Sequence, residues 1–437
     1  MVILIIKKIM MKNLTVLTGS FFLCSTFLNA QSTTTERVKE NAKWKTEQKV
    51  NQKVDKAIDD VLDGNIFKKK PKAARNNEED SAFGKESTNR KPDNPTPNNA
   101  VQEPSSFKAY SKFDFVSGEK VLYYEDFERV DIGDFPADFN TNASGEVMTL
   151  EGKPGKWLVL TKNGSFLPEA IGELPENFTL EMNVGIIGDP SNNFTGFGFN
   201  FNTEKENLIG CSFCRGAFVN LHPGGASASM NVSQAGGGNM DNDFKMPQWD
   251  VDGNPFARIS LWRQKGRLRV YVNEEKLMDI PRFFIESKPY GVSFGRNFFR
   301  ECNVFVSDIK FAVGAPDTRN KLITEGRFAT TGILFDFQKA IVKPESYGVI
   351  KEIATALKEN PAVKINIIGH TSNDGDANAN LTLSKQRAAA VKQVLTNEFG
   401  IDAARMETDG KGGAEPVDKT GSSAGKANNR RVEFIKL

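Results

Sequence analysis

The chain has 437 residues, 39% of them hydrophobic and 26% charged, with a formal charge of +2. That length allows two or three domains, and the near-neutral balance excludes a nucleic-acid binder working through net electrostatics. His222 and His370 are the only histidines, which leaves little room for a histidine metal site or histidine general-base chemistry.

Residues 1–30 read as a signal peptide. Lys7, Lys8 and Lys12 precede the uncharged, mostly apolar stretch Leu14 to Ala30, which ends in the small-residue pattern Leu28-Asn29-Ala30. The apolar run is short for a membrane span. Leu23 before Cys24 is a poor context for a lipoprotein cysteine. Loss of these residues removes three lysines and no acid, which takes the charge to −1.

Residues 31–67 form a charged amphipathic helix. Val50, Val54, Ile58, Val61 and Leu62 make a narrow apolar stripe and Gly64 supplies the stop. Such a stripe serves either self-association or a partly helical tether. Residues 68–109, rich in Pro, Asn and Ser, bury too little surface to offset chain entropy and read as a disordered linker.

Residues 110–315 read as all-β. "NFTLEMNVGII", "FTGFGFNF", "RISLWRQKGRLRVYVNEEKL" and "CNVFVSDIKFAV" alternate apolar and polar residues between Gly, Asn, Asp and Pro punctuation. Charges within the strands and irregular spacing argue for a sandwich over an outer-membrane barrel. Cys211, Cys214 and Cys302 would survive export, which allows one disulfide, Cys302 with Cys211 or Cys214, and leaves one thiol over. "DNDFKMPQWDVDGN" offers oxygens for calcium but lacks the closing Glu of an EF-hand loop, so it reads as a polar turn cluster. His222 to Met240 reads as a glycine-rich loop. The segments "YYEDFERVDIGDFPADFN", "EGKPGKWLVL" and "RLRVYVNEEKLMDIP" resemble the concanavalin A-like jelly-roll superfamily. The E-x-D-x-E strand of its glucanases is not found, and the acids near Glu125 alternate wrongly for a glycosidase pair. The region therefore reads as non-catalytic.

Residues 318–437 are mixed α/β. "TGILFDF" and "VKINIIG" read as strands, "KPESYGVIKEIATALKEN" and "LSKQRAAAVKQVLTNEFG" as helices, and "NRRVEFIKL" as a closing strand, with the helices packed on one sheet. The blocks "ILFDF…GHTSNDGDANANLTLSKQRAAAV…GKGGAEPV…NNRRVEFIKL" resemble the OmpA-like peptidoglycan-binding domain from Gly326 to Leu437.

That resemblance implies an exported cell-envelope protein of a Gram-negative bacterium, in the periplasm and associated with the outer membrane and cell wall. It would bind peptidoglycan non-covalently through diaminopimelate of the stem peptide, without cofactor, metal or catalysis. A zwitterionic ligand needs a fixed cation and an anion or carbonyl cluster. Arg387 matches the family's ligand-binding arginine, Asn380 its asparagine, and Leu383 and Ser384 the positions before the arginine. Two positions depart from the family pattern: Ser372 stands where an Asp is usual, and Gln338 follows Phe337 where an Asp often stands. Asp374 either supplies the missing charge or is a solvated turn residue, and Asp376 is a weaker candidate. Arg430 and Arg431 read as braces of the sheet. The alternative function is a carbohydrate-binding or adhesion protein acting through the β-sandwich, with the C-terminal domain as wall anchor.

Overall fold

The computed structural model describes residues 113–188, 196–203, 209, 217–223, 229–233, 239–243, 249–250, 253–285, 290–297, 302–314 and 317–437. The expected signal peptide, amphipathic helix and linker lie outside the described residues, as do Cys211 and Cys214. The described residues are mostly β-sheet with a few helices.

Nineteen strands fall into three sheets among the described residues. The first contains β1 (Lys120–Glu125), β3 (Gly145–Thr149), β4 (Lys156–Leu160), β6 (Asn177–Gly188), β11 (Phe256–Gln264), β12 (Arg267–Val272), β13 (Glu275–Ile280) and β15 (Cys302–Val313). Its order is β13-β12-β11-β6-β15-β4-β3, with β1 also paired to β15. The second contains β2 (Phe139–Thr141), β5 (Gly164–Pro168), β7 (Gly196–Asn202), β8 (Ala217–His222), β9 (Ser229–Ser233), β10 (Asn239–Asp243) and β14 (Gly291–Asn297). Its order is β10-β9-β8-β7-β14-β5-β2. Every pairing in both sheets is antiparallel.

Period-two alternation explains the strands. Leu268, Val270 and Val272 of β12 are fully buried, and Asn273 in a left-handed conformation (φ 52°) makes the turn into β13. Phe197 and Phe199 of β7 pack with Phe166 of β5 and Phe294 of β14 through chained ring contacts. Arg296, on the same face of β14 as Phe294, donates to the Leu160 carbonyl of β4 at 2.6 Å, so this face meets the first sheet. The segment read as a glycine-rich loop contains β9, and Asp241 to Asp243 of the calcium-like segment belong to β10. Residues 244–248 and 251–252 lie outside the described residues. Cys302 is buried at the start of β15.

The third sheet has the order β16 (Arg327–Thr330), β19 (Val432–Lys436), β17 (Ile365–His370), β18 (Met406–Gly412), with β17 and β18 parallel. Helices α1 (Tyr347–Glu359), α2 (Ala377–Asn397) and α3 (Ser423–Asn429) accompany it. One cluster joins Val349, Ile353 and Leu357 of α1, Ala388, Val391 and Leu395 of α2, and Ile365, Ile367 and Phe434 of the sheet. The expected strand "TGILFDF" is reduced to one isolated antiparallel bridge, Phe335 with Val342. Ser346 Oγ donates to the Leu334 carbonyl and accepts from the Leu334 amide (3.1 and 2.8 Å), and the Lys343 amide donates to the same carbonyl at 2.9 Å, so the segment turns back on residues 341–343 rather than joining the sheet.

The C-terminal layer packs directly on the first sheet. Phe113, Phe115 and Val116 share a core with Trp262, Tyr271 and the residues of α1. A Cβ at Gly348 would overlap the Phe115 carbonyl oxygen, so glycine is required there. Beside this contact lies a buried ion cluster. Arg258 of β11 donates to Glu181 Oε2 (2.9 Å), Ser117 donates to Glu181 Oε1 (2.6 Å), and Lys310 Nζ lies 3.5 Å from the same oxygen. Lys310 also donates to the Thr331 carbonyl of the C-terminal layer at 3.2 Å. Burial alone would raise the Glu181 carboxyl, but Lys310 and then Arg258 hold it down at about 2.

Removing one member of a buried ion pair costs about 3–5 kcal/mol. Glu181→Gln should lower unfolding stability by that order in denaturant titrations at pH 7. Because the folded carboxyl titrates below its ordinary 4.5, its contribution is present above that value and is lost as pH falls toward about 2. The variant should lack this part of the acid dependence.

Candidate functional site

The turn after β17 and the first half of α2 bring most of the expected site residues together. Asp376 caps α2, its Oδ1 accepting from the Ala379 amide at 2.8 Å. It is therefore a structural cap. Ser384 Oγ donates to the Leu381 carbonyl (2.8 Å) and accepts from the Gly412 amide (2.9 Å), which ties the helix to the end of β18. A Cβ at Gly369 would overlap the Ser384 carbonyl oxygen, so the "GHT" strand end lies against the helix only because it carries glycine.

Asn380 Nδ2 donates to the Asp374 carbonyl at 2.7 Å and fixes the turn. The Asp374 carboxylate accepts from Lys426 of α3 at 2.7 Å. This bond holds the carboxyl below the usual carboxylate range, with Ser372 and Arg430 acting in the same direction. Ser372 and Asp374 thus stand together, and the acid already has a cationic neighbour.

Arg387 lies one helical turn beyond half-buried Leu383. Its Nε donates to the Lys339 carbonyl at 3.0 Å and its guanidinium covers the Phe335 ring at 4.8 Å. No hydrogen bond from its Nη1 or Nη2 is made among the described residues. Burial pushes this guanidinium down, and Arg430 pushes it the same way. Two cations near each other, one with two donors open, form a setting that favours an anionic group.

Phe337 and Gln338 sit on the loop whose Lys339 holds Arg387. Phe337 is 71% exposed, and Gln338 adopts a left-handed conformation (φ 55°). Neither bonds to Arg387. Phe335, Lys339 and Lys426 border the site without having been marked by the sequence, and Arg430, read as a brace, borders it too. The alternation of "ILFDF" pointed to a strand, which hid Phe335 as a ring under the arginine. Arg431 braces the sheet as expected, bonded to Glu433 by Nε (2.7 Å) and Nη2 (2.6 Å). Arg430 instead covers the Tyr124 ring at 5.0 Å.

With this geometry in place, residues 334–430 match the model of the OmpA family. Residues 334–430 form an OmpA-like domain. Outer membrane porin F of Pseudomonas aeruginosa is 41% identical over 101 residues, 23% of this chain and 29% of that protein. The probable lipoprotein YiaD of Escherichia coli is 40% identical over 102 residues, 23% of this chain and 46% of that protein. The peptidoglycan-binding protein ArfA of Mycobacterium bovis is 34% identical over 109 residues, 24% of this chain and 33% of that protein. The chain thus spans less than half the length of each of these relatives. Among solved structures, the peptidoglycan-associated lipoprotein from Burkholderia pseudomallei is 28% identical, with 28% of this chain and 98% of that chain covered and a TM-score of 0.24.

His370 of the OmpA-like domain is 3% exposed, and Nε2 lies 3.5 Å from Glu433. Burial, then the nearby Arg431, lowers it to about 4, so it is neutral in the folded domain near pH 7. An NMR titration should find the His370 imidazole protonating near pH 4. Stability attributable to it should be full above the unfolded value of about 6.5 and lost as pH falls from there toward 4. Protonation near pH 6.5 would contradict this burial argument.

Proposed function

We propose that the protein is an exported, non-enzymatic envelope protein of a Gram-negative bacterium. Its OmpA-like domain binds peptidoglycan non-covalently through diaminopimelate of the stem peptide, linking envelope components to the cell wall from the periplasmic side of the outer membrane. The observation that carries this reading is Arg387, held by Lys339 and Phe335 with Nη1 and Nη2 open. A carboxylate of diaminopimelate would take both nitrogens in a bidentate bond. The similarity to outer-membrane proteins, to a lipoprotein and to a protein named for peptidoglycan binding supports the envelope assignment.

The ammonium of the ligand would be met by Asp374, Ser372 and the carbonyl side of the turn that Asn380 fixes. Lys426 and the ligand ammonium would compete for Asp374, which makes this jaw weaker than one with an acid at position 372. Leu383, Phe337 and Gln338 would line the ligand's aliphatic part and backbone. In the same reading, residues 1–30 are removed on export, residues 31–67 form the amphipathic helix, 68–109 the linker, and 110–315 a jelly-roll-like sandwich. Cys302 pairs with Cys211 or Cys214.

Co-sedimentation of the purified protein with diaminopimelate-containing sacculi tests the proposal. A charge-assisted hydrogen bond contributes about 1.5–3 kcal/mol, so Arg387→Ala should weaken binding roughly tenfold to a hundredfold. Asp374→Asn should weaken it by a smaller factor. Equal binding by Arg387→Ala would refute the role of this side chain, and no binding by the unaltered protein would refute the function.

A further inference from the structure

The arginines of the C-terminal layer are held in two different ways. Arg405 and Arg431 spend their donors inside the layer, Arg405 on the Val363, Leu357 and Asn360 carbonyls and Arg431 on the Glu433 carboxylate. Arg387 and Arg430 instead lie over aromatic rings, Phe335 at 4.8 Å and Tyr124 at 5.0 Å. A ring face fixes the position of a guanidinium while leaving the donors on its edge open. No side-chain hydrogen bond of Arg430 is made among the described residues. Arg430 is near enough to Arg387 to push that guanidinium down, and near enough to Asp374 to hold its carboxyl down. Asp374 is already bonded to Lys426 at 2.7 Å, so its charge is matched before either guanidinium is considered. Two cations with open donors, held side by side, repel each other unless anions stand between them.

The ring under Arg430 lies outside the OmpA-like domain. Tyr124 belongs to β1, is paired with Lys310 of β15, and donates its hydroxyl to Asp308 at 2.7 Å. The segment that carries Arg430 is pinned to the same part of the first sheet at two further points. Asn428 exchanges two hydrogen bonds with the Val121 backbone, and Arg129 donates to the Gly421 carbonyl at 2.8 Å.

We propose that Arg430, seated on Tyr124, binds a second carboxylate of the stem peptide beside the one taken by Arg387. The inference rests on the diaminopimelate reading of Arg387 and extends it. The wall site is then built by two parts of the chain, with Tyr124 of the first sheet as a positioning residue. A guanidinium takes a carboxylate through paired, charge-assisted bonds, and an amide in its place offers no charge. The site therefore selects stem peptides whose second carboxylate is free. Two groups of a stem tripeptide have this chemistry, the main-chain carboxylate of diaminopimelate and the carboxylate of the neighbouring glutamate.

Calorimetric titration of the whole purified protein with the tripeptide alanyl-γ-glutamyl-diaminopimelate tests this. The tripeptide is used with all carboxylates free, with the main-chain carboxylate of diaminopimelate amidated, and with the glutamate carboxylate amidated. A charge-assisted bond at a partly exposed arginine is worth about threefold to tenfold in affinity, so one amide should bind more weakly by that factor and thereby identify the carboxylate. Arg430→Gln should bind the free form as weakly as that amide and should no longer tell the two apart. Tyr124→Leu should shrink the same ratio, whereas Tyr124→Phe, which keeps the ring, should preserve it. A ratio taken within one protein is not moved by a general loss of stability. Equal binding of all forms by the unaltered protein, or a ratio that survives in Arg430→Gln, would overturn the proposal and leave the diaminopimelate reading standing. A ratio that survives in Tyr124→Leu would overturn the part given to the first sheet. No binding of any form by the unaltered protein would overturn both readings.

Discussion

The buried contact of Lys310 and Arg258 with Glu181 is the constraint on which the arrangement of the described residues depends. Three ionic groups from β6, β11 and β15 are withdrawn from water together. Such groups are tolerable only when every member has its partner, because an isolated buried charge is far more costly than a buried pair. Lys310 completes its set with the Thr331 carbonyl, and Ser117, just before β1, bonds Glu181. The first sheet therefore cannot satisfy its own outer face without the C-terminal layer seated on it. The close approach of the Phe115 backbone to Gly348 of α1, beside the shared apolar core, enforces the same seating by shape.

This seating reaches the binding loop through a chain of polar contacts. Arg258 donates to Asn183, Asn183 to Asp308, and Tyr124 to Asp308, and Arg430 covers the Tyr124 ring. Asp308 sits at the β-bulge of β15 in a left-handed conformation (φ 51°), which aims its carboxylate at both donors. Asn428 of α3 exchanges two hydrogen bonds of 2.9 Å with the Val121 backbone of β1. Lys426 of α3 and Arg430, the residue that follows this helix, border the candidate site and are thus carried by a segment clamped to the first sheet. The position of the cations around Asp374 and Arg387 is set by contacts made outside the OmpA-like domain.

Much of this was legible in the residues. Alternation made strands such as β7, β12 and β15 legible because they bury Phe, Val, Leu and Ile, whereas β9 and β10, in segments read as a loop and a turn cluster, are too poor in such residues to stand out. The helices around Ile353 and Val391 were legible through their apolar spacing, and Arg387 and Asn380 through the separated OmpA-like blocks. Three things were not legible, each because it depends on distant chain. The single bridge at "ILFDF" follows from the chain turning back on residues 341–343, with Ser346 holding Leu334. The packing of Phe113 and Phe115 on α1 joins segments more than two hundred residues apart. The Lys426–Asp374 bond comes from a short helix of small and polar residues with no apolar stripe to announce it.

A crystal structure of the protein soaked with diaminopimelate tests the central claim most directly. The account predicts one ligand carboxylate on Nη1 and Nη2 of Arg387 and the ammonium beside Asp374 and Ser372. Electron density for the ligand away from Arg387, or none at saturating concentration, would contradict it.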